Sequence, residues 1–195
     1  KSEIYGSRNH AWFIDHQGPF GSGKDRAYLL SVIDDATGYG WIRRCKYKDF
    51  ASVKRVLREI FTAVDPPKII RADNGFGDVL VKWVKEHCEN IGVPPTEVRY
   101  GTAENPCGQH RIERPHRFFR NFLAARQKEM TSENWFADEQ IIKDLEAVWR
   151  KRKLFGEFSP TDLWFGTQPS FACTIAERID YQNNRSRELI SQLTK

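Results

Sequence analysis

The sequence predicts an α/β domain, and three observations carry that prediction. Short β-prone runs alternate with segments whose apolar residues recur every three or four positions. Two of the short apolar runs end at an aspartate, Asp15 and Asp73, which is strand, site residue, then turn or helix. No internal repeat or low-complexity stretch interrupts this order, and 195 residues at 39% hydrophobic content suffice for one substantial core.

Taken in order, residues 11–14 (Ala-Trp-Phe-Ile) form an apolar run stopped by Asp15, and Gly18, Pro19, Gly21 and Gly23 then mark a turn, so a strand is expected over 11–15. Residues 26–34 and 39–46 read as two further strands, joined through Asp34-Asp35-Ala36-Thr37-Gly38, whose Asp, Thr and Gly suit a tight turn. After Asp49 the spacing becomes helical: Phe50, Val53, Val56, Leu57, Ile60, Phe61 and Val64, ended by Pro66-Pro67. A short strand over 68–72 leads to Asp73-Asn74-Gly75. A second helical pattern follows (Val79, Leu80, Trp83, Val84, His87, Ile91) and closes at Gly92.

A fifth strand is expected near 96–100, then a loop rich in Gly, Thr, Asn and Pro up to Gly108. The segment 112–129 is helical again. Because Pro115 has no N–H, the helix is expected to start no earlier than Ile112, leaving Pro115 within its first three positions and Glu113 in its first turn. Another helix is expected over 141–148, and Ser159-Pro160 reads as an N-cap followed by proline at the first helical position. The division expected is a linker over 1–10, a core domain over 11–130 and a helical C-terminal extension over 131–195.

Composition narrows the partners. A net charge of +5 permits a polyanion without requiring one, and 29% charged residues of mixed sign do not describe a disordered tail. Cys45, Cys88, Cys107 and Cys173 are dispersed, which disfavours a zinc knuckle or a disulfide framework and suits reduced thiols in an intracellular protein. No apolar run approaches the ~20 residues that span a bilayer, so no membrane partner is expected. With Lys1 first and Met130 the only methionine, the chain reads as a piece of a longer protein.

Asp15, Asp73 and Glu113 are the candidate chemical groups. Two aspartates at strand ends can point into the cleft above a sheet, and a glutamate in a first helical turn is kept ionised by the macrodipole. Carboxylates brought together repel unless cations neutralise them, and hard oxygen donors suit Mg²⁺ or Mn²⁺; two such ions would serve an in-line displacement at phosphorus. Singly, each residue also suits a turn, a cap or a dipole partner. The ordered trio is what points to a site. Beside it Arg111, Arg114, Arg117 and Arg120 recur every three residues with His116 between, a pattern that fits either a phosphate backbone or a solvated helix face.

At these residues the chain resembles the catalytic core of retroviral and LTR-retrotransposon integrases, D,D,E polynucleotidyl transferases. The resemblance rests on Trp12-Phe13-Ile14-Asp15, Ile33 to Tyr39, Arg71-Ala72-Asp73-Asn74-Gly75, and Asn105-Pro106 with Gln109 and Glu113-Arg114. Ser159-Pro160-Thr161-Asp162-Leu163-Trp164-Phe165-Gly166 resembles the segment following the core in retrotransposon integrases. It implies an RNase H-like α/β fold: a five-stranded mixed sheet flanked by helices, with a helical C-terminal extension. It further implies Asp15, Asp73 and Glu113 as catalytic ligands of two Mg²⁺ (or Mn²⁺) ions. Asn74, Gln109, His110, Arg111, Arg114, Arg117 and Arg120 become candidate DNA contacts, Gln109 on a mobile loop.

The implied activity is 3′-end processing and strand transfer into double-stranded target DNA by a homodimer or higher homo-oligomer, in the nucleus. A cut-and-paste transposase or nuclease of the same fold, or an integrase-like module without activity, are the alternatives. The chain departs from the family at His110, where a glycine often follows the glutamine, and at Pro115. The interval from Asp73 to Glu113 is also longer than in retroviral cores, an excess assigned to residues 101–104.

Overall fold

The computed structural model describes residues 7–21, 23, 26–101, 110–130, 135–154 and 156–166. Its strands are β1 (Ala11–Phe20), β2 (Ala27–Asp34), β3 (Gly40–Cys45), β4 (Ile69–Ala72) and β5 (Glu97–Tyr100). Its helices are α1 (Phe50–Phe61), α2 (Gly77–Ile91), α3 (His110–Glu129), α4 (Glu139–Lys151) and α5 (Pro160–Phe165). The strands form one mixed sheet in the order β3-β2-β1-β4-β5, antiparallel from β3 to β1 and parallel from β1 to β5. These are the five strands the sequence predicts.

Alternation along the strands sends side chains to two layers. Trp12 and Ile14 of β1, Leu30 and Val32 of β2 and Ile70 of β4 pack with α1 and α2 through Val53, Val56, Leu57, Leu80, Trp83 and Val84. On the other face Leu29, Ile33 and Ile42 meet Phe119 and Leu123 of α3 and Ile141, Leu145 and Trp149 of α4. The helical spacing after Asp49 is confirmed, and Asp49 caps α1 by accepting from Ser52 N at 2.9 Å. Gly92 closes α2 in the left-handed region at φ 70°. Val79 and Ile91, which fit the apolar pattern of α2, lie on its exposed side.

Two expectations are corrected. β1 does not stop at Asp15 but continues to Phe20, because Gly18 and Pro19 sit where its register against β2 shifts between Gln17 and Phe20; a bulge absorbs residues that would otherwise break a strand. α3 starts at His110 rather than after Ile112, which puts Pro115 inside the helix. The ring forfeits one backbone hydrogen bond about a turn and a half from the helix start, and its burial against the domain offsets that local loss.

The turn after β2 follows from its residues. Buried Asp34 accepts through Oδ2 from Thr37 N (2.9 Å) and Thr37 Oγ1 (2.7 Å), and Gly38 supplies φ 70°. At the other side of the hairpin, β3 is an edge strand, and α4 closes it: Glu146 Oε2 accepts from Ile42 N at 2.7 Å and Arg150 Nε donates to Gly40 O at 2.8 Å.

The Ser159 cap is present as a full capping box with Asp162, and it starts the short α5 that delivers Trp164 to the core, stacked on Tyr39 at 5.1 Å. Ser159→Ala is expected to cost about 1 kcal/mol, read as a thermal midpoint lower by roughly 2–4 °C.

Candidate metal centre

The parallel pairing of β1 with β4 aligns Ile14 with Ala72, so the next residues along the two strands are Asp15 and Asp73. β4 ends there while β1 runs on to Phe20. The strand end expected at Asp15 is therefore supplied by its neighbour. Asp15 is mostly covered and Asp73 is exposed.

Asp15 has a neighbour at each oxygen, and one of the two is hydrogen-bonded. Its Oδ1 accepts from His16 N at 2.7 Å, and its Oδ2 lies 3.6 Å from Nδ1 of His116 on α3. Burial, with a smaller contribution from the charge of Asp73, pushes its carboxyl from 3.8 up to about 6. Such a carboxyl gains from a cation, and one cation is already near: Lys48, in the turn before α1, places Nζ 3.8 Å from Asp73 Oδ2 and counteracts the rise at Asp15.

His116 is contacted from both β1 and β2. Its Nε2 lies 3.3 Å from Ser31 Oγ, and its backbone carbonyl accepts from Gln17 Nε2 at 2.8 Å. Burial, and then the charge of Arg120, lower its pKa to about 4. Asp15, His116 and Ser31 in line have the order of a hydrolase triad, but Ser31 is 1% exposed and no substrate can reach its hydroxyl. His16, on the opposite face of β1, rests against Phe76 with its ring 5.5 Å away, and burial lowers its pKa to about 4 as well.

Of the sequence-predicted residues, the structure brings Asp15 and Asp73 side by side. Glu113 stands on the first turn of α3, three positions before His116, and its side chain lies outside the described residues, as do those of Asn74, His110 and Arg111. Gln109 and the loop 102–109 also lie outside them. Arg114, Arg117 and Arg120 are exposed, while Phe119 and Leu123 turn inward. Among the described residues no three His, Cys, Asp or Glu side chains form a ready metal cage.

Nothing in the sequence marks Lys48, whose neighbours come from other elements. His116 had a signal, the Glu113-x-x-His116 spacing that sets two residues one helical turn apart. As a donor set, a hard carboxylate pair that is partly desolvated and self-repelling fits a divalent cation.

No family model matches the chain. The Pro-Pol polyproteins of feline foamy virus and of simian foamy virus type 3 (strain LK3) are each 20% identical to it, over 188 and 189 residues. Both matches cover 93% of this chain but 15% of the relative, so the chain spans about 15% of the length of the curated relatives it matches. Among solved structures, the catalytic core domain of BIV integrase matches with TM-score 0.60 at 17% identity, covering 82% of this chain and 95% of that one. The HTLV-2 integrase catalytic core domain in complex with magnesium, in its dimeric form, gives 0.62 at 13%, covering 80% and 97%. A chain of the simian T-cell lymphotropic virus intasome in complex with PP2A regulatory subunit B56 gamma gives 0.61 at 14%, covering 85% and 56%. Sheet order, flanking helices and these likenesses agree: the chain has the RNase H-like fold of a retroviral integrase catalytic core.

Proposed function

We propose that the chain is the catalytic core of a retroelement integrase, a metal-dependent polynucleotidyl transferase that processes the 3′ ends of element DNA and joins them to target DNA. The observation that carries the reading is the placement of Asp15 beside Asp73 at the end of β4, with Asp15 held up to about 6 by burial and its neighbour's charge. Asp15, Asp73 and Glu113 would hold Mg²⁺ or Mn²⁺, two ions in all; the relative from HTLV-2 was solved in complex with magnesium. Bound there, the ions supply Lewis-acid charge for displacement at a phosphodiester.

The chain's own residues do the rest. Hydrogen bonding from His16 N sets the direction of the Asp15 carboxylate, and His116 lies beside its other oxygen. Lys48 is close enough to meet a phosphate entering over Asp73. The exposed Arg114, Arg117 and Arg120 continue from the site along α3, and Arg120 is near enough to shift His116. With Arg111, Asn74, Gln109 and His110 they form the proposed DNA contacts. Homo-oligomeric assembly and a nuclear site of action belong to the same proposal; a dimeric form and an intasome are among the structural relatives.

The test is strand transfer by the wild-type chain and by Asp73→Asn, using duplex DNA with element ends and Mg²⁺ or Mn²⁺. Loss of joining in the variant supports the reading, and joining at the wild-type rate overturns it. A second expectation concerns DNA affinity. Replacing Arg117 and Arg120 together by alanine should weaken binding across sequences alike, and should flatten the plot of log affinity against log salt by about one unit per phosphate contact removed. Binding titrations at several salt concentrations read both effects.

A further inference from the structure

The metal position beside Asp15 has a neighbour that an all-carboxylate site would not need. His116 Nδ1 faces Asp15 Oδ2 at 3.6 Å, too long for a hydrogen bond. The other ring nitrogen is occupied: Nε2 lies 3.3 Å from Ser31 Oγ, and that hydroxyl can donate its own hydrogen to Asp15 O, also 3.3 Å away. Ser31 Oγ then has a lone pair for an Nε2–H and no hydrogen left to give. With the imidazole hydrogen on Nε2, a tautomer this arrangement accommodates, Nδ1 is left with a lone pair beside a carboxylate oxygen.

In that tautomer two electron-pair donors stand side by side. A cation between them resolves this arrangement. Ligands about 2.1 Å from one ion and roughly 90–120° apart stand roughly 3.0–3.6 Å from each other, and the Asp15–His116 separation lies at the top of that span. The second requirement for a metal-binding imidazole, a partner on its far nitrogen that fixes ring and tautomer, is met by Ser31. Gln17 fixes the backbone of the same residue. Both supports come from the β1–β2 pair rather than from α3 itself, so the ring is aimed by the sheet.

We infer that His116 Nδ1 is a nitrogen donor to the cation held by Asp15, so that this position takes Mn²⁺ or another imidazole-accepting first-row ion in preference to Mg²⁺. The inference rests on the proposed metal site and adds a ligand to it. Nitrogen ligation separates the cations because Mg²⁺ favours oxygen donors and water, whereas transition ions accept imidazole readily.

The experiment uses Mn²⁺ as the probe, without DNA. Pulsed electron paramagnetic resonance on the Mn²⁺-loaded wild-type chain should show coupling to a directly bound nitrogen, altered when histidine is supplied with ¹⁵N and absent in His116→Phe. Calorimetric titration should show Mn²⁺ affinity reduced about tenfold or more in His116→Phe, and Mg²⁺ affinity reduced much less. If Mn²⁺ binding depends on Asp15 (lost in Asp15→Asn) yet carries no histidine nitrogen coupling in the wild type, the inference is overturned while the metal site stands. If Mn²⁺ does not bind in an Asp15-dependent way, both fail together. The labelled wild-type spectrum decides against the inference even should His116→Phe not fold.

Discussion

Asp15→Asn is expected to make the metal-free protein more stable at neutral pH while reducing strand transfer by about a thousandfold, the scale seen when one charged or hydrogen-bonding group is removed from a transition-state site. The two effects have one origin. The Asp15 carboxyl is raised to about 6 in the folded chain, chiefly by burial, against roughly 3.9 unfolded. A carboxyl shifted upward contributes stability below about pH 4 and loses it as the pH rises through 6. Asparagine keeps an acceptor for His16 N but carries no charge, so it escapes that loss.

A shift of this size corresponds to about 1–3 kcal/mol at pH 7, a gain that should vanish near pH 4. In the wild type other groups oppose this slope. His16 and His116 are both lowered to about 4, so their contributions have the opposite sign: present above about 6.5 and lost as the pH falls through 4. Asp34, also raised to about 6 by burial, joins Asp15 on the other side of the balance. Two carboxyls therefore oppose these two imidazoles between pH 4 and 6.5, where His87, also lowered by burial, acts with the imidazoles, and Asp15→Asn should make stability rise more steeply with pH. Urea unfolding with a chelator, from pH 4 to 8, measures this; equal stability of the two proteins at pH 8 would refute it. Saturating Mn²⁺ should reverse their order, because binding adds stability only where the ligand set is intact.

How far such a site can be foreseen depends on the distance over which its parts act. The Asp34 to Tyr39 turn was legible because its hydrogen bonds close within a few residues, from Asp34 to Thr37 and Gly38. α1 was legible because its apolar spacing and its Asp49 cap lie within the helix. The neighbours Asp15 and Asp73 were legible as a pair only through the order of strand, aspartate and helix, since the parallel register that joins them is not written in either segment. Where the sequence misled, a local rule was outweighed by the surroundings: Gly18 and Pro19 read as a strand break but lie in a bulge on an interior strand, and Pro115 read as a helix start but is buried within α3. Lys48 was not legible as a site residue, and His116 was marked only by its spacing from Glu113, because each acquires its role from partners on other elements. For His116 and Ser31 the separation along the chain is 85 residues.

Trp149→Ala is expected to be the most damaging single truncation outside the site, costing about 3–5 kcal/mol. The ring is 2% exposed and packs against Phe118 and Phe119 of α3 at 5.5 and 5.2 Å, the latter edge to face. Its Nε1 donates to Gly38 O at 3.0 Å, so it also ties α4 to the turn after β2. Gly40 leaves room for it: a Cβ there would come within 3.1 Å of that nitrogen. Trp149→Phe keeps most of the ring contacts and removes the donor, and should cost about 1 kcal/mol, the scale of one hydrogen bond to a partly buried carbonyl. The location of the damage is the sharper expectation. Trp149 supports the layer of α3 and α4, whereas α1 and α2 rest on the opposite face of the sheet around Trp12 and Trp83. Hydrogen exchange on Trp149→Ala should therefore show α3 amides losing protection before those of α2. Equal loss in both layers would mean that the sheet transmits the defect and that the helix bearing Glu113 and His116 is not held independently. A selective loss in α3 would mean that Trp149, far along the chain from Asp15, helps set how steadily His116 faces it.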